Sequence, residues 1–134
     1  IYIAAPYTSH RATSAERGAE QHARFTVITR YAAAQMRDGW AVFSPITHGH
    51  PIWLHSGCEL DASAAGWAEV NMAMMRESRF LHVLCLKGWE KSTGLAYERQ
   101  WFHARGVPAQ MVDLEPHWFD SPMLQAYCMP DDHR

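Results

Sequence analysis

The stretch Phe80-Leu81-His82-Val83-Leu84-Cys85-Leu86, running into Lys87-Gly88-Trp89-Glu90-Lys91-Ser92-Thr93-Gly94-Leu95-Ala96-Tyr97-Glu98, decides how the rest of the chain is read. Its first half is a short, nearly continuous apolar run bounded by turn formers, which predicts a buried parallel strand. From residue 95 to 105 the pattern predicts a helix, stopped by Gly106 and Pro108. A strand that opens through a Gly/Ser/Thr loop into a helix offers backbone N–H groups and the positive end of a helix dipole to a ligand. Phosphate or a sugar oxygen is the usual guest. Glu98 falls about one turn inside that helix and close enough to the loop to face the same pocket. A carboxylate there repels phosphate, but it is suited to attack or stabilise a cationic centre such as a sugar C1′.

Outward from this unit, strands and helices alternate. Residues 2–5 form a short apolar strand that enters the hydroxyl-rich loop Pro6-Tyr7-Thr8-Ser9-His10. A long helix is predicted over 14–37, with Val27, Ile28, Tyr31, Ala34 and Met36 near one face and Gly39 as its stop. Residues 40–43 read as a second strand and 44–51 as its exit loop, followed by an irregular segment over 52–66. A helix over 67–77 packs through Trp67, Met72, Met74 and Met75, while Arg76 and Arg79 belong to a solvated face. A last strand spans 109–114. Such alternation predicts one α/β domain over residues 1–134, three-layered and Rossmann-like or flavodoxin-like, on a parallel sheet of four to five strands. Ligands bind beyond the carboxyl ends of such strands, which gathers loops 6–10, 44–51 and 87–94 at one edge. The tail over 115–134 holds Trp118, Phe119, Met123, Leu124 and Tyr127, too apolar for a free linker; it is expected to dock on this domain or on a neighbouring subunit.

Bulk properties narrow the partners. A chain of 134 residues with 48% hydrophobic content can bury a sizeable core. Net charge is −2, and ten Arg against two Lys are scattered, which argues against a nucleic-acid polymer but not against one nucleotide. No apolar run approaches the roughly 20 residues of a membrane span, and no signal-like pattern opens the chain. The absent initiator Met is read as trimming or an unobserved start. Three cysteines, Cys58, Cys85 and Cys128, show no CxxC, so a reduced, cytoplasmic protein is expected.

Four segments in order resemble the nucleoside 2-deoxyribosyltransferase superfamily, which includes nucleoside 2′-deoxyribosyltransferases and 2′-deoxynucleoside 5′-phosphate N-hydrolases. They are Ile1-Tyr2-Ile3-Ala4-Ala5-Pro6-Tyr7, Ser44-Pro45-Ile46-Thr47-His48, the helix bearing Asn71, and Ser92-Thr93-Gly94-Leu95-Ala96-Tyr97-Glu98. Together they span roughly residues 1–112. Related motifs also occur in cytokinin-activating phosphoribohydrolases and nucleotide-sensing relatives. The resemblance implies that Glu98 is the nucleophile that forms a glycosyl-enzyme ester at C1′, with the Tyr2 hydroxyl beside it. Ser92 matches a phosphate-binding serine of the nucleotide hydrolases, where the nucleoside transferases carry an aspartate that would repel phosphate. Asn71 stands where the family has a sugar-contacting aspartate. Its amide can bond a hydroxyl but cannot relay a proton. The Gly88-Trp89-Glu90 insertion lengthens the loop before Ser92.

Each signal also has an ordinary reading. Glu98 could be a salt-bridged surface carboxylate, Ser92 a simple helix cap, and Tyr2 strand filler. Pro6, Tyr7 and His10 are pocket walls or plain surface. Ser44 and His48 are expected on the nucleotide pocket, His48 closing over the base. His48 and His50 invite a metal, but His55 or Cys58 would have to supply the missing ligand, so no metal and no cofactor are assigned. Cys85, in a strand core, lacks the setting of a nucleophile. The reading reached is N-glycosidic bond cleavage or transfer on a small nucleotide or nucleoside, foremost a (deoxy)nucleoside 5′-monophosphate, by a homodimer or higher homo-oligomer. Residues 92–94 would hold the phosphate and Asn71 the sugar. The alternative is a nucleotide-binding sensor without turnover. A Glu98 bound to Arg99 or Arg105 would favour it.

Overall fold

The computed structural model describes residues 1–57 and 65–131. In chain order the regular elements are β1 (Tyr2–Ala4), α1 (Ser14–Arg37), α2 (Pro45–His55), α3 (Ala65–Glu77), β2 (Leu81–Leu84), α4 (Thr93–Ala104), β3 (Ala109–Val112) and α5 (Pro122–Cys128). Short 3-10 turns occupy Trp89–Lys91 and Pro116–Trp118. The chain is thus a mixed α/β protein with a parallel sheet of three strands among the described residues, in the order β1-β2-β3. Leu81 of β2 pairs with Tyr2 on one side and with Ala109 on the other. The central strand is the one with the nearly continuous apolar run, as burial on both faces requires. β3 is an edge strand and only partly buried.

Strand alternation divides the core. Ile3, Leu84 and Leu86 join Val27, Ile28 and Tyr31 of α1 and Leu124 and Cys128 of α5. Tyr2, Ala4, Leu81 and Val83 point the other way and pack with Met75 of α3 and with Leu95 and Phe102 of α4. Successive residues serving opposite clusters is the period-2 signature of a strand covered on both faces. The tail docks on this domain, with Phe119, Leu124 and Cys128 all buried.

Three expectations need correction. Residues 40–43 do not make a strand: only Phe43 pairs, as an isolated bridge to Tyr2, through Ile3 N–H to its carbonyl and its own N–H to Ile1 O. Among the described residues the sheet has three strands, with Phe43 as a single bridge beside β1. The cause is Ser44, whose side chain accepts from Thr47 N–H as a helix N-cap with Pro45 in the first turn. Residues 44–51 are consequently not a loop, and helix α2 runs on through the first part of the segment expected to be irregular. Pro51 lies inside α2, where it cannot donate to the carbonyl a turn earlier. Gly49 is there for space: a Cβ would sit 3.3 Å from the Trp67 ring, so α2 and α3 meet at that point. Cys58 and most of the remainder of that segment lie outside the described residues.

Candidate active site

β1 and β2 end at the same edge, and the loops that leave them form the walls of a cavity of about 860 Å³. That volume lies in the range of small-molecule sites. The loop after β2 turns at Gly88, whose φ of 86° is left-handed and favours glycine. It then passes through Trp89–Lys91 to Ser92, whose hydroxyl accepts from Leu95 N–H at 3.2 Å and caps α4. The capping and the ligand-facing readings of Ser92 coexist: Ser92, Thr93 and Gly94 all line the cavity at the N-terminus of α4.

Glu98 lies one turn further along α4 and also lines the cavity. The hydroxyl of Tyr2, a fully buried residue of β1, donates to its carboxylate. The Tyr2 ring is held against Phe43 and Phe102. Burial pushes the Glu98 carboxyl up to about 7, with the Tyr2 bond pulling the other way. Burial, then the neighbouring Glu98 charge, raises the Tyr2 phenol far above its ordinary value, so it stays a donor. Neither arginine expected as a competitor takes Glu98. The Arg99 guanidinium lies 5.5 Å from the Trp89 ring centroid and that of Arg105 lies 4.7 Å from Trp101. Among the described residues Glu98 makes no ion pair.

Asn71 lines the cavity from α3, with Ala68, Met72 and Met75 as apolar neighbours. Pro6, Tyr7 and His10 line it from the first loop. Two expected residues are elsewhere. Ser44 is buried and committed to capping α2, so the next residues, Pro45 and Ile46, form the wall instead. His48 is exposed beside the Phe43 ring, on the solvent side of α2. His50, two residues on, is buried. It pairs with the Tyr7 hydroxyl through Nδ1 and stacks on Phe25 at 4.7 Å. Two positions apart on a helix, these imidazoles face different ways. Among the described residues no three His, Cys, Asp or Glu side chains converge as a metal site requires.

The reading of the sequence missed a buried ionic knot on α1. Arg24 is 6% exposed and donates to the carbonyls of Tyr7, Thr8 and Lys87, tying the loops after β1 and β2 together. Glu20 lies 3.6 Å from Arg24 and 3.1 Å from Arg11. Burial raises the Glu20 carboxyl, but the Ser9 hydrogen bond and the two arginines outweigh it, leaving it below its ordinary value. A signal was present: Glu20 and Arg24 stand four apart and continue the stripe of Val27, Ile28 and Tyr31.

Two further observations complete the description. Among the described residues no helix is long and apolar enough to cross a membrane. No curated protein matches the sequence. Residues 1–113, which carry β1 to β3 and every cavity wall described above, match the family described as Domain of unknown function (DUF1937), and the chain belongs to that family.

Proposed function

We propose that this protein cleaves or transfers the N-glycosidic bond of a small nucleotide or nucleoside, with Glu98 as nucleophile. The observation that carries the reading is the Glu98 carboxylate at the cavity wall, in no ion pair among the described residues and oriented by the buried Tyr2 hydroxyl. A carboxyl near 7 is substantially ionised at neutral pH, yet it is poorly solvated and so reactive. Its oxygen attacks C1′ through an oxocarbenium-like transition state. The C1′–N bond breaks, its electron pair leaves with the base, and solvent supplies the proton the base needs. Water, or a second base, then attacks C1′ and releases Glu98.

The cavity wall holds Arg11, Arg24, Lys87 and Lys91 against the carboxylates Glu20 and Glu98, an excess of positive charge that favours an anionic substrate. This supports a nucleoside 5′-monophosphate, its phosphate on the Ser92 hydroxyl and the N–H groups of Thr93 and Gly94 at the start of α4, and its sugar on Asn71. The apolar wall of Ile46, Ala68 and Met72 suits the flat face of a base. The accompanying fold reading is a reduced three-layer Rossmann-like domain, with Phe43 at the position of a fourth strand. A cytoplasmic homodimer fits the buried free thiols Cys85 and Cys128 and the exposed apolar pair Trp40 and Phe80.

The test is incubation with 2′-deoxy and ribo nucleoside monophosphates and nucleosides, with and without an acceptor base, following free base by chromatography. Base release lost in Glu98→Ala is the expected result, and release unaltered by that substitution would overturn it. A second reading, a nucleotide sensor without turnover, is favoured by Asn71, whose amide cannot relay a proton. Measurable binding with silence across the panel would select it.

A further inference from the structure

Residues 114–134 fall outside the family match, yet the described part of this segment, up to Asp131, reaches back to the cavity. The guanidinium of Arg11, a wall residue, lies 5.1 Å from the centroid of the Tyr127 ring in α5. On the opposite loop, the backbone N–H of Lys87, also a wall residue, donates to Cys128 O at 2.8 Å. The Lys87 ammonium donates to Ala126 O at 3.3 Å and pairs with Asp131 at 3.1 Å. Leu124 and Cys128 anchor α5 in the core against α1. One short helix thus touches both walls, and at each it touches a positively charged residue.

These ties differ in strength. The Lys87–Asp131 pair is largely in water and is weakened by screening. The backbone bond to Cys128 is set by a buried anchor and holds the loop whatever the salt. Arg11 has a carboxylate on one side, Glu20, and an aromatic face on the other. A guanidinium fixed between the two has one orientation toward the cavity rather than many, so it loses less entropy when an anion binds.

We infer that the C-terminal segment, residues 121–131, is a positioning element for the cavity, holding Arg11 through Tyr127 and the loop after β2 through Lys87. It thereby sets the affinity for the anionic substituent of the ligand. The inference rests on the nucleotide reading for the identity of that ligand, but not for the contacts. Tyr127 is a positioning residue and touches no reacting atom. Coupling is reciprocal: an anion held by Arg11 stabilises the docked α5, and loss of the Tyr127 ring weakens the anion.

The experiment compares the wild type, Tyr127→Leu and Tyr127→Phe as full chains. Leucine keeps apolar bulk in the core cluster but removes the ring face, and phenylalanine restores it. Probes are inorganic phosphate, a nucleoside 5′-monophosphate and its nucleoside, read by calorimetry, by steady-state kinetics where turnover occurs, and by hydrogen exchange. Tyr127→Leu is expected to weaken phosphate and monophosphate by about three- to tenfold, in KM rather than kcat, with the nucleoside unchanged and Tyr127→Phe close to wild type. Phosphate should slow amide exchange in residues 122–128 of the wild type, and Tyr127→Leu should abolish that protection. Equal weakening of monophosphate and nucleoside, or wild-type behaviour of Tyr127→Leu, overturns the inference. Phosphate affinity that depends on Tyr127, in a protein that binds no nucleotide, overturns the nucleotide reading and leaves this one standing. A wild type that binds none of the three probes overturns both.

Discussion

As the proposed nucleophile Glu98 must be ionised, and burial works against ionisation; the Tyr2–Glu98 pair is where the two demands meet. Burial lifts the Glu98 carboxyl from 4.5 to about 7, and the Tyr2 bond restrains the rise. Tyr2→Phe keeps the ring between Phe43 and Phe102 and removes only the hydroxyl. The acid limb of the pH–activity profile, expected near 7 in the wild type, should therefore move to higher pH in Tyr2→Phe. An unmoved limb would mean that another group governs it. Stability runs in the opposite sense. Below pH 4.5 Glu98 is protonated in the folded and unfolded states alike; between 4.5 and 7 the folded state holds the proton more tightly, so stability falls as pH rises. Above 7 the whole penalty is present, on the order of 3 kcal/mol. Glu98→Gln removes that penalty while leaving an oxygen for the Tyr2 hydroxyl. It should be inactive yet more stable than the wild type at pH 8, by up to that amount, with the gap closing toward pH 4. Denaturant melts at the two pH values decide this, and a Gln variant less stable at pH 8 would refute the buried-carboxylate account.

Ser92 serves the helix and the cavity together, and two substitutions separate the roles. Ser92→Ala removes the side-chain acceptor for Leu95 N–H and should cost about 1 kcal/mol. Ser92→Asp keeps a cap and adds a favourable charge at the helix N-terminus, so its melting temperature should match or exceed that of the wild type. The same charge would face the phosphate, and KM for monophosphates should rise by about tenfold or more while nucleosides are spared. A uniform effect on both substrates would remove Ser92 from the proposed phosphate site. The unit from β2 into α4 is readable because its evidence is local: an apolar run, turn residues, a cap and a helix pattern lie within twenty residues. Residues 40–43 mislead for the converse reason. A strand exists only where a partner takes up its backbone groups, and here the Ser44 cap starts α2 after a single bridge. Ser44 and Pro45 read equally well as loop residues and as the first turn of a helix, and tertiary packing favours the helix, with Ile46 in the core cluster beside α1 and His50 stacked on Phe25. Tyr2 beside Glu98 follows from no spacing, since the two stand far apart in sequence; the family resemblance suggested it.

Arg24 sets the shape of the whole cavity, because one guanidinium on α1 joins the loop after β1 to the loop after β2. It has almost no contact with water, and its Nε finds no acceptor among the described residues. Burial pulls its pKa down and the Glu20 charge pulls it up, so the pair is held by mutual need rather than by a surplus of attraction. Arg24→Met preserves length and apolar volume. It removes the donor to the carbonyls of Tyr7, Thr8 and Lys87 and leaves Glu20 buried with the Ser9 hydrogen bond and the half-exposed Arg11. Losing one partner of a buried pair typically costs about 3–5 kcal/mol, and this substitution should fall there. Adding Glu20→Gln removes the stranded charge, so the double variant should be more stable than Arg24→Met alone, a coupling of about 1–3 kcal/mol in a double-mutant cycle. The guanidinium donors are missing in both, so stability should not return fully to the wild-type level. Urea melts of the four proteins measure the cycle. A loss below about 1 kcal/mol for Arg24→Met, or additive singles, would mean that water reaches the guanidinium and that the two loops are joined by something else.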